Sequence, residues 1–390
     1  MSERDVVIVG GGVVGSATAY YLKKHGFAGR ITIVEKDTTY QLCCTARSVG
    51  GLRQQFSTPE NIALSKFGLA LLRNLKAEFG PEADVNFREF GYLMMASADG
   101  LDILEENHRI QIANGADNIL LKGPDVAARF PWINPEGVAA GCFGLSGEGW
   151  LDPYSLMNLF RKAAVAQGVE VIPAEVTGID VKENRVTSVT LSSGERIETT
   201  CIVNAAGAGG GAVAKLAGID LPVGPRKRYV YVIDCPSAPE AMHKAPLSVC
   251  PDGIFLRPEG RHFLTGISPE EHEEPQVMDW EVDYQFFDER IWPVIANRYP
   301  VLESIKVINA WAGHYDYNAL DQNGIIGRHP AIENFYFGNG FSGHGLQQGP
   351  ATGNALAELI TFGTFRTIDL ARLGYERIAA REPLFERNII

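Results

Sequence analysis

The run Val6-Val7-Ile8-Val9 passes directly into Gly10-Gly11-Gly12-Val13-Val14-Gly15. Four apolar residues, three of them valine, stopped by glycine read as a short buried parallel strand. Residues 16–25 then carry helical periodicity and end at Gly26, and a second apolar run over 31–34 ends on Glu35. Strand, helix and strand in about 30 residues make a βαβ unit of the nucleotide-binding kind. Gly10 permits the tight turn, Gly12 lets a pyrophosphate approach the backbone, and Gly15 lets the helix pack close to the strand. The helix start at Val13 and Val14 offers free N–H groups and a positive dipole end to phosphates. Glu35, 20 residues beyond Gly15, is placed to accept hydrogen bonds from ribose hydroxyls. The alternative, a glycine turn of purely structural use, does not account for the acid at the end of the second strand.

Two further stretches favour FAD over NAD. NAD domains continue as regular βα repeats, whereas here a long loop over 37–57 follows the second strand and can track along a bulky fixed cofactor. Val203-Asn204-Ala205-Ala206-Gly207-Ala208 is a strand running into small residues, over which backbone can approach a ligand. Gly338-Asn339-Gly340-Phe341-Ser342-Gly343-His344-Gly345 joins a strand to the last long helix, and its N–H groups face whatever sits over that helix start. A reduced flavin is an anion that such a terminus stabilises. These clusters explain much of the glycine surplus, 42 in 390 residues.

The remaining composition sets bounds. A chain of 390 residues predicts two packed domains. A net charge of −12 without a basic run argues against general binding of nucleic acid or anionic membranes. Six cysteines without a CxxC pair or zinc spacing predict reduced thiols and no metal site. No apolar run is long enough to span a bilayer, and the first strand leaves no room for a leader peptide, so the reading is a cytoplasmic protein. Helices are predicted over 59–79, 153–167, 283–299 and 345–362. Strands are predicted over 91–95, 169–172, 186–191, 202–204, 229–233, 325–327 and 335–337.

Together with Gly50-Gly51-Leu52-Arg53-Gln54-Gln55-Phe56-Ser57 and Trp311-Ala312-Gly313, these motifs resemble the FAD-dependent oxidoreductases of the D-amino-acid oxidase type. Sarcosine oxidases, the proline dehydrogenase β subunit and dimethylglycine dehydrogenase look like the nearer relatives; the motifs look closest to the proline dehydrogenase β subunit and a mitochondrial member linked to respiratory-complex assembly, and the resemblance spans 6–362. It implies an α/β (α+β overall) chain: a Rossmann-like FAD-binding domain over 1–90, 146–220 and 321–390, and a substrate domain on a mixed β-sheet over 91–145 and 221–320. It implies oxidation of the C–N bond of a small amine or amino acid by hydride transfer to FAD. The alternative is a flavin-binding assembly or scaffold protein.

The same resemblance assigns residues. Arg53 matches the arginine that holds a substrate carboxylate, a task suited to a guanidinium fork. Gln347 stands where sarcosine oxidases have a second carboxylate-binding lysine, and His344 sits beside it. Cofactor contacts fall on Gly10, Gly12, Val13, Val14, Gly15, Glu35, Lys36, Arg47, Ser48, Gly51, Leu52, Val176, Ala206, Gly207, Gly343, His344, Gly345, Leu346 and Gln347. His314 occupies the place of a covalent flavin attachment in sarcosine oxidase; the expectation is non-covalent FAD, with His314, Tyr315 and Tyr317 lining the pocket. The oxidases' oxygen-activating lysine has no counterpart in 261–266, which points to an electron-carrier partner, with Lys227 as a possible substitute.

Overall fold

The computed structural model describes residues 5–269 and 278–387, so residues 1–4 ahead of the first strand lie outside the described residues. Two large sheets organise the chain. The first has six strands in the order Ile325–Arg328, Phe335–Asn339, Cys201–Asn204, Val6–Val9, Ile31–Glu35, Glu170–Pro173. All neighbours run parallel except the edge strand Ile325–Arg328. Its inner strands are buried on both faces, which is why they read as unbroken apolar runs rather than alternating ones. Ile8 and Ile33 are wholly buried, and each such side chain contributes about 1.5–3 kcal/mol of transfer free energy.

Helices Val13–Lys24, Pro153–Ala166 and Gly345–Phe362 cover one face of this sheet and share its core. The small sheet Val176–Lys182, Arg185–Leu191, Arg196–Glu198 shares a second core with its other side. Gly349 and Gly353 set the helix pairing. A Cβ on Gly349 would lie 2.6 Å from Val13, and one on Gly353 would lie 2.5 Å from Ala17. Residues four apart on one helix meet residues four apart on the other in the same order, so the two helices run parallel. Their N-termini, at Val13 and Gly345, therefore open at the same end.

The second sheet has eight strands in the order Lys306–Asn318, Val223–Asp234, His262–Gly266, Phe255–Glu259, Leu247–Val249, Tyr92–Ala96, Ala140–Gly144, Asn118–Lys122. It is mixed: Leu247–Val249 pairs parallel with Tyr92–Ala96, and the other pairs are antiparallel. Its core holds Tyr231, Phe263, Ile291 and Tyr299. A two-residue pairing, Gly51–Leu52 with Gly149–Trp150, ties the long loop to this half.

Several elements differ from the sequence expectation. The 59–79 helix is two, Pro59–Arg73 and Leu75–Phe79, broken where Asn74 turns its amide back onto Ala70 O at 2.8 Å. The 283–299 helix is Tyr284–Phe286, a π turn over Phe287–Ile291, and Trp292–Arg298. Pro293 lacks the N–H that a regular helix would donate to Glu289, so the ladder widens ahead of it. The 229–233 strand extends to Val223–Asp234 because its partner Lys306–Asn318 pairs with it along its whole length.

Candidate active site

The first glycine turn is built against the end of strand Cys201–Asn204. Gly10 has φ +99°, and a Cβ there would lie 2.4 Å from Ala205 O. A Cβ on Gly15 would lie 2.0 Å from Gly10 O. These approaches leave an open backbone cradle, with the N–H groups of Gly12, Val14 and Gly15 given no acceptor among the described residues. Val13 differs: its N–H donates to Thr45 Oγ1 at 3.1 Å. Glu35 is buried at the turn, accepting from Gly11 N–H at 2.7 Å and Asp37 N–H at 2.8 Å. These bonds fix the carboxylate and leave each oxygen a second lone pair for ribose hydroxyls. Orphaned N–H groups at a helix start beside a fixed carboxylate fit a dinucleotide.

The other proposed cofactor residues surround that cradle unequally. Lys36 is exposed. Val176 is buried two residues after Ala174, whose N–H donates to Glu35 O at 3.1 Å. Ala206 follows Ala205, and Gly207 turns at φ +54° beside Cys44 Sγ. Leu52 is buried, while Ser48 and Gly51 line a cavity described below.

The second glycine turn donates more narrowly than the sequence suggests. The N–H groups of Gly340 and Phe341 go to Asp316 Oδ2 at 2.9 and 3.1 Å, and that of Ser342 goes to Asp316 O at 3.1 Å. Burial pushes the Asp316 carboxyl up to about 6, against these donors. The N–H groups of Gly343, Gly345, Leu346 and Gln347 remain without an acceptor among the described residues. They form the helix start that opens beside the dinucleotide cradle.

Between this helix start and the second sheet lies a cavity of about 50 Å³ lined by Arg53, Tyr92, Tyr315, His344 and Gln347 among others. Arg53 is 3 % exposed. Its guanidinium lies 4.0 Å over the Phe56 ring and donates to Gln55 O, and its backbone N–H donates to Gln347 Oε1 at 2.8 Å. The same Gln347 oxygen accepts from Ser65 Oγ at 3.3 Å. That backbone donor fixes which way the amide faces and leaves its N–H groups for the cavity. His344 packs edge-on against Phe56 and is buried; desolvation and then the Arg53 charge push its imidazole down to about 3. It is therefore neutral near pH 7, and its Nε2 has no hydrogen-bond partner among the described residues.

His314 does not join this group. Neighbouring residues on a strand face opposite ways, so with Tyr315 in the cavity His314 points away from it. Its ring meets Trp280 at 4.4 Å. Tyr317 lies under the Arg226 guanidinium and does not line the cavity. Arg47 also differs: its guanidinium donates to Gln41 O and Ala312 O at 2.8 and 2.6 Å and stacks 4.5 Å over Trp280. Lys227 lies opposite His314 in the sheet and is ion-paired with Asp279.

Sequence reasoning missed Thr45, Asp316, Tyr92 and Glu148. Glu148 is 1 % exposed, accepting from Gln54 N–H at 2.6 Å and Gln55 Nε2 at 2.7 Å. Burial pushes its carboxyl up to about 7, while those donors and the Arg53 charge hold it down. One signal was available: Glu148 sits among Gly144, Gly147 and Gly149, and a Cβ on Gly144 would lie 2.0 Å from its carboxylate.

A dinucleotide cradle, a second helix start opening beside it and a roofing mixed sheet define a flavin-dependent oxidoreductase. The profile of the family "FAD dependent oxidoreductase" matches residues 5–359, and the chain belongs to that family, with FAD as its cofactor. It is 43 % identical to FAD-dependent oxidoreductase domain-containing protein 1 of Xenopus laevis, across 99 % of this chain and 85 % of that protein. Mitochondrial sarcosine dehydrogenase of Homo sapiens is 28 % identical over 93 % of this chain, which spans 40 % of that protein. Among solved structures, L-proline dehydrogenase from P. horikoshii superposes with a TM-score of 0.86 at 26 % identity, covering 98 % of this chain and 99 % of that one.

Proposed function

We propose that the protein oxidises the C–N bond of a secondary or N-methylated amino acid, releasing an imine that water hydrolyses. The convergence of Arg53, the Gln347 amide and neutral His344 beside the Gly345 helix start carries this reading. FAD, when bound, supplies the hydride acceptor. Arg53 holds the substrate carboxylate, and the Gln347 N–H groups donate beside it. The buried Arg53 charge, with an uncharged His344 beside it, disfavours an ammonium and favours the neutral amine that can release hydride. Tyr92 and Tyr315 wall the cavity and exclude water.

The relatives named for sarcosine and proline support this substrate class. Re-oxidation passes to an electron carrier: strand His262–Gly266 has no lysine, and Lys227 is held by Asp279. FAD is held without a covalent bond, since His314 turns toward Trp280. Acid precipitation checks that point, with the yellow colour staying in solution. None of the six cysteines is in a disulfide, which supports a reducing, cytoplasmic setting testable by cell fractionation.

The main test is anaerobic mixing of the yellow protein with a panel of amino acids and N-methyl amines. Loss of the visible flavin absorbance with one class identifies the substrate. A flavin that stays oxidised across the panel sinks this reading in favour of a flavin-binding assembly protein.

A further inference from the structure

We propose that Glu148 is the resting counter-charge of Arg53, and that a carboxylate docking on Arg53 draws one proton from solvent onto Glu148. This rests on Arg53 being the carboxylate site. Glu148 is fully enclosed, and both its oxygens are committed to the segment that carries Arg53. Oε1 takes the Gln54 N–H and Oε2 takes the Gln55 amide, while Gln55 O in turn accepts from the Arg53 guanidinium. A buried carboxylate and a buried guanidinium that are both hydrogen-bonded to Gln55 stabilise each other, because neither has water to screen it.

An anionic ligand changes that balance in two ways. It satisfies the Arg53 charge, and it adds a like charge near Glu148. Both disfavour the ionised form of Glu148. The group is already poised for this, since burial has pushed it up to about 7. Among the described residues, the other ionisable groups coupled to it are not placed to absorb the change. The groups facing Glu148 are the Arg53 guanidinium, the Tyr92 hydroxyl and the Cys142 thiol. Arginine stays charged, and burial pushes both Tyr92 and Cys142 upward, so both stay neutral. His344 is uncharged throughout. Glu89 lies outside, taking the Gly147 N–H at 2.5 Å. Asp316 is pushed up to about 6, but its donors belong to the other glycine turn.

The probe is acetate, which stays ionised above about pH 6, so any pH dependence belongs to the protein. Calorimetric titration of the FAD-loaded protein with acetate, in two buffers of different ionisation enthalpy, reads the protons exchanged. The expected result near neutral pH is net uptake of between zero and one proton. Acetate affinity then falls as pH rises above about 7, by up to roughly tenfold per pH unit. Glu148→Gln binds acetate more tightly than wild type at about pH 8 and loses both the uptake and the pH dependence; Asp316→Asn keeps them. Acetate binding without proton uptake in the wild type overturns the proposal, and so does uptake that survives Glu148→Gln. If that variant does not fold, the wild-type calorimetry decides alone. Failure of acetate to bind at all would instead remove Arg53 as the carboxylate site, and the proposal with it.

Discussion

Arg53 faces the cavity because other groups hold the chain on either side of it. Gln347 takes its backbone N–H, Gln55 takes its guanidinium, and Glu148 clamps the next two residues. Arg53→Ala is expected to raise the substrate concentration needed for flavin reduction by roughly a hundredfold or more, the scale for losing one partner of a buried charged pair. Flavin content should not change, which the absorbance ratio of the purified variant checks. Glu148 supports a second prediction, about stability. Its carboxyl is raised from an ordinary 4.5 to about 7, so the native state binds more protons than the unfolded state across that window. Stability is then present below about 4.5 and lost as pH rises toward about 7, by about 3 kcal/mol in total. Melting temperatures at about pH 5 and about pH 8 should show the wild type losing ground against Glu148→Gln at the higher pH; a gap that does not move with pH contradicts the assignment. Arg53, Gln347 and His344 were legible because they sit inside recognisable motifs. Thr45, Asp316 and Glu148 were not, because they act on backbone N–H groups far away in sequence, and no spacing rule records such pairs. His314 was misplaced because strand alternation sends it to the face opposite Tyr315.

The parallel pairing of helices Val13–Lys24 and Gly345–Phe362 is what brings two glycine turns to one end. Gly349 and Gly353 permit that approach. Gly353→Val places a branched side chain where even a Cβ would lie 2.6 Å from Thr18 N, a backbone atom that cannot step aside. Separation of the helices is expected, with substoichiometric flavin and a stability loss on the order of 2–3 kcal/mol. The flavin-to-protein ratio and the melting temperature report both. Elements of the first sheet were readable because doubly buried strands give uninterrupted apolar runs. The second sheet was less so. Its helix Leu101–Ala113 and strands Asn118–Lys122 and Ala140–Gly144 carry mixed patterns, and their burial depends on partners distant in sequence. The π turn at Phe287–Ile291 is a local consequence of Pro293 that helical periodicity hides.

At the scale of the molecule, one sheet carries the cofactor cradle and the other roofs a small polar cavity, with Arg53 on the loop that crosses between them. The sequence's glycine clusters foreshadowed this arrangement, because each marks a place where backbone meets backbone or ligand. What they did not convey was how many of the freed N–H groups the protein uses itself. Asp316 takes three, two on its carboxylate and one on its carbonyl, Glu35 takes that of Gly11 and Thr45 takes that of Val13, and what remains is a narrower set of donors at two helix starts. As proposed, this arrangement recognises an amino acid by its carboxylate and oxidises the adjacent C–N bond. The direct measurement compares each amino acid with the amine that lacks its carboxylate, sarcosine with dimethylamine and proline with pyrrolidine, by anaerobic flavin reduction. At least one of the acids is expected to reduce the flavin, and its decarboxylated partner at the same concentration is not. Equal reduction by acid and amine, or no reduction by either acid, would contradict it.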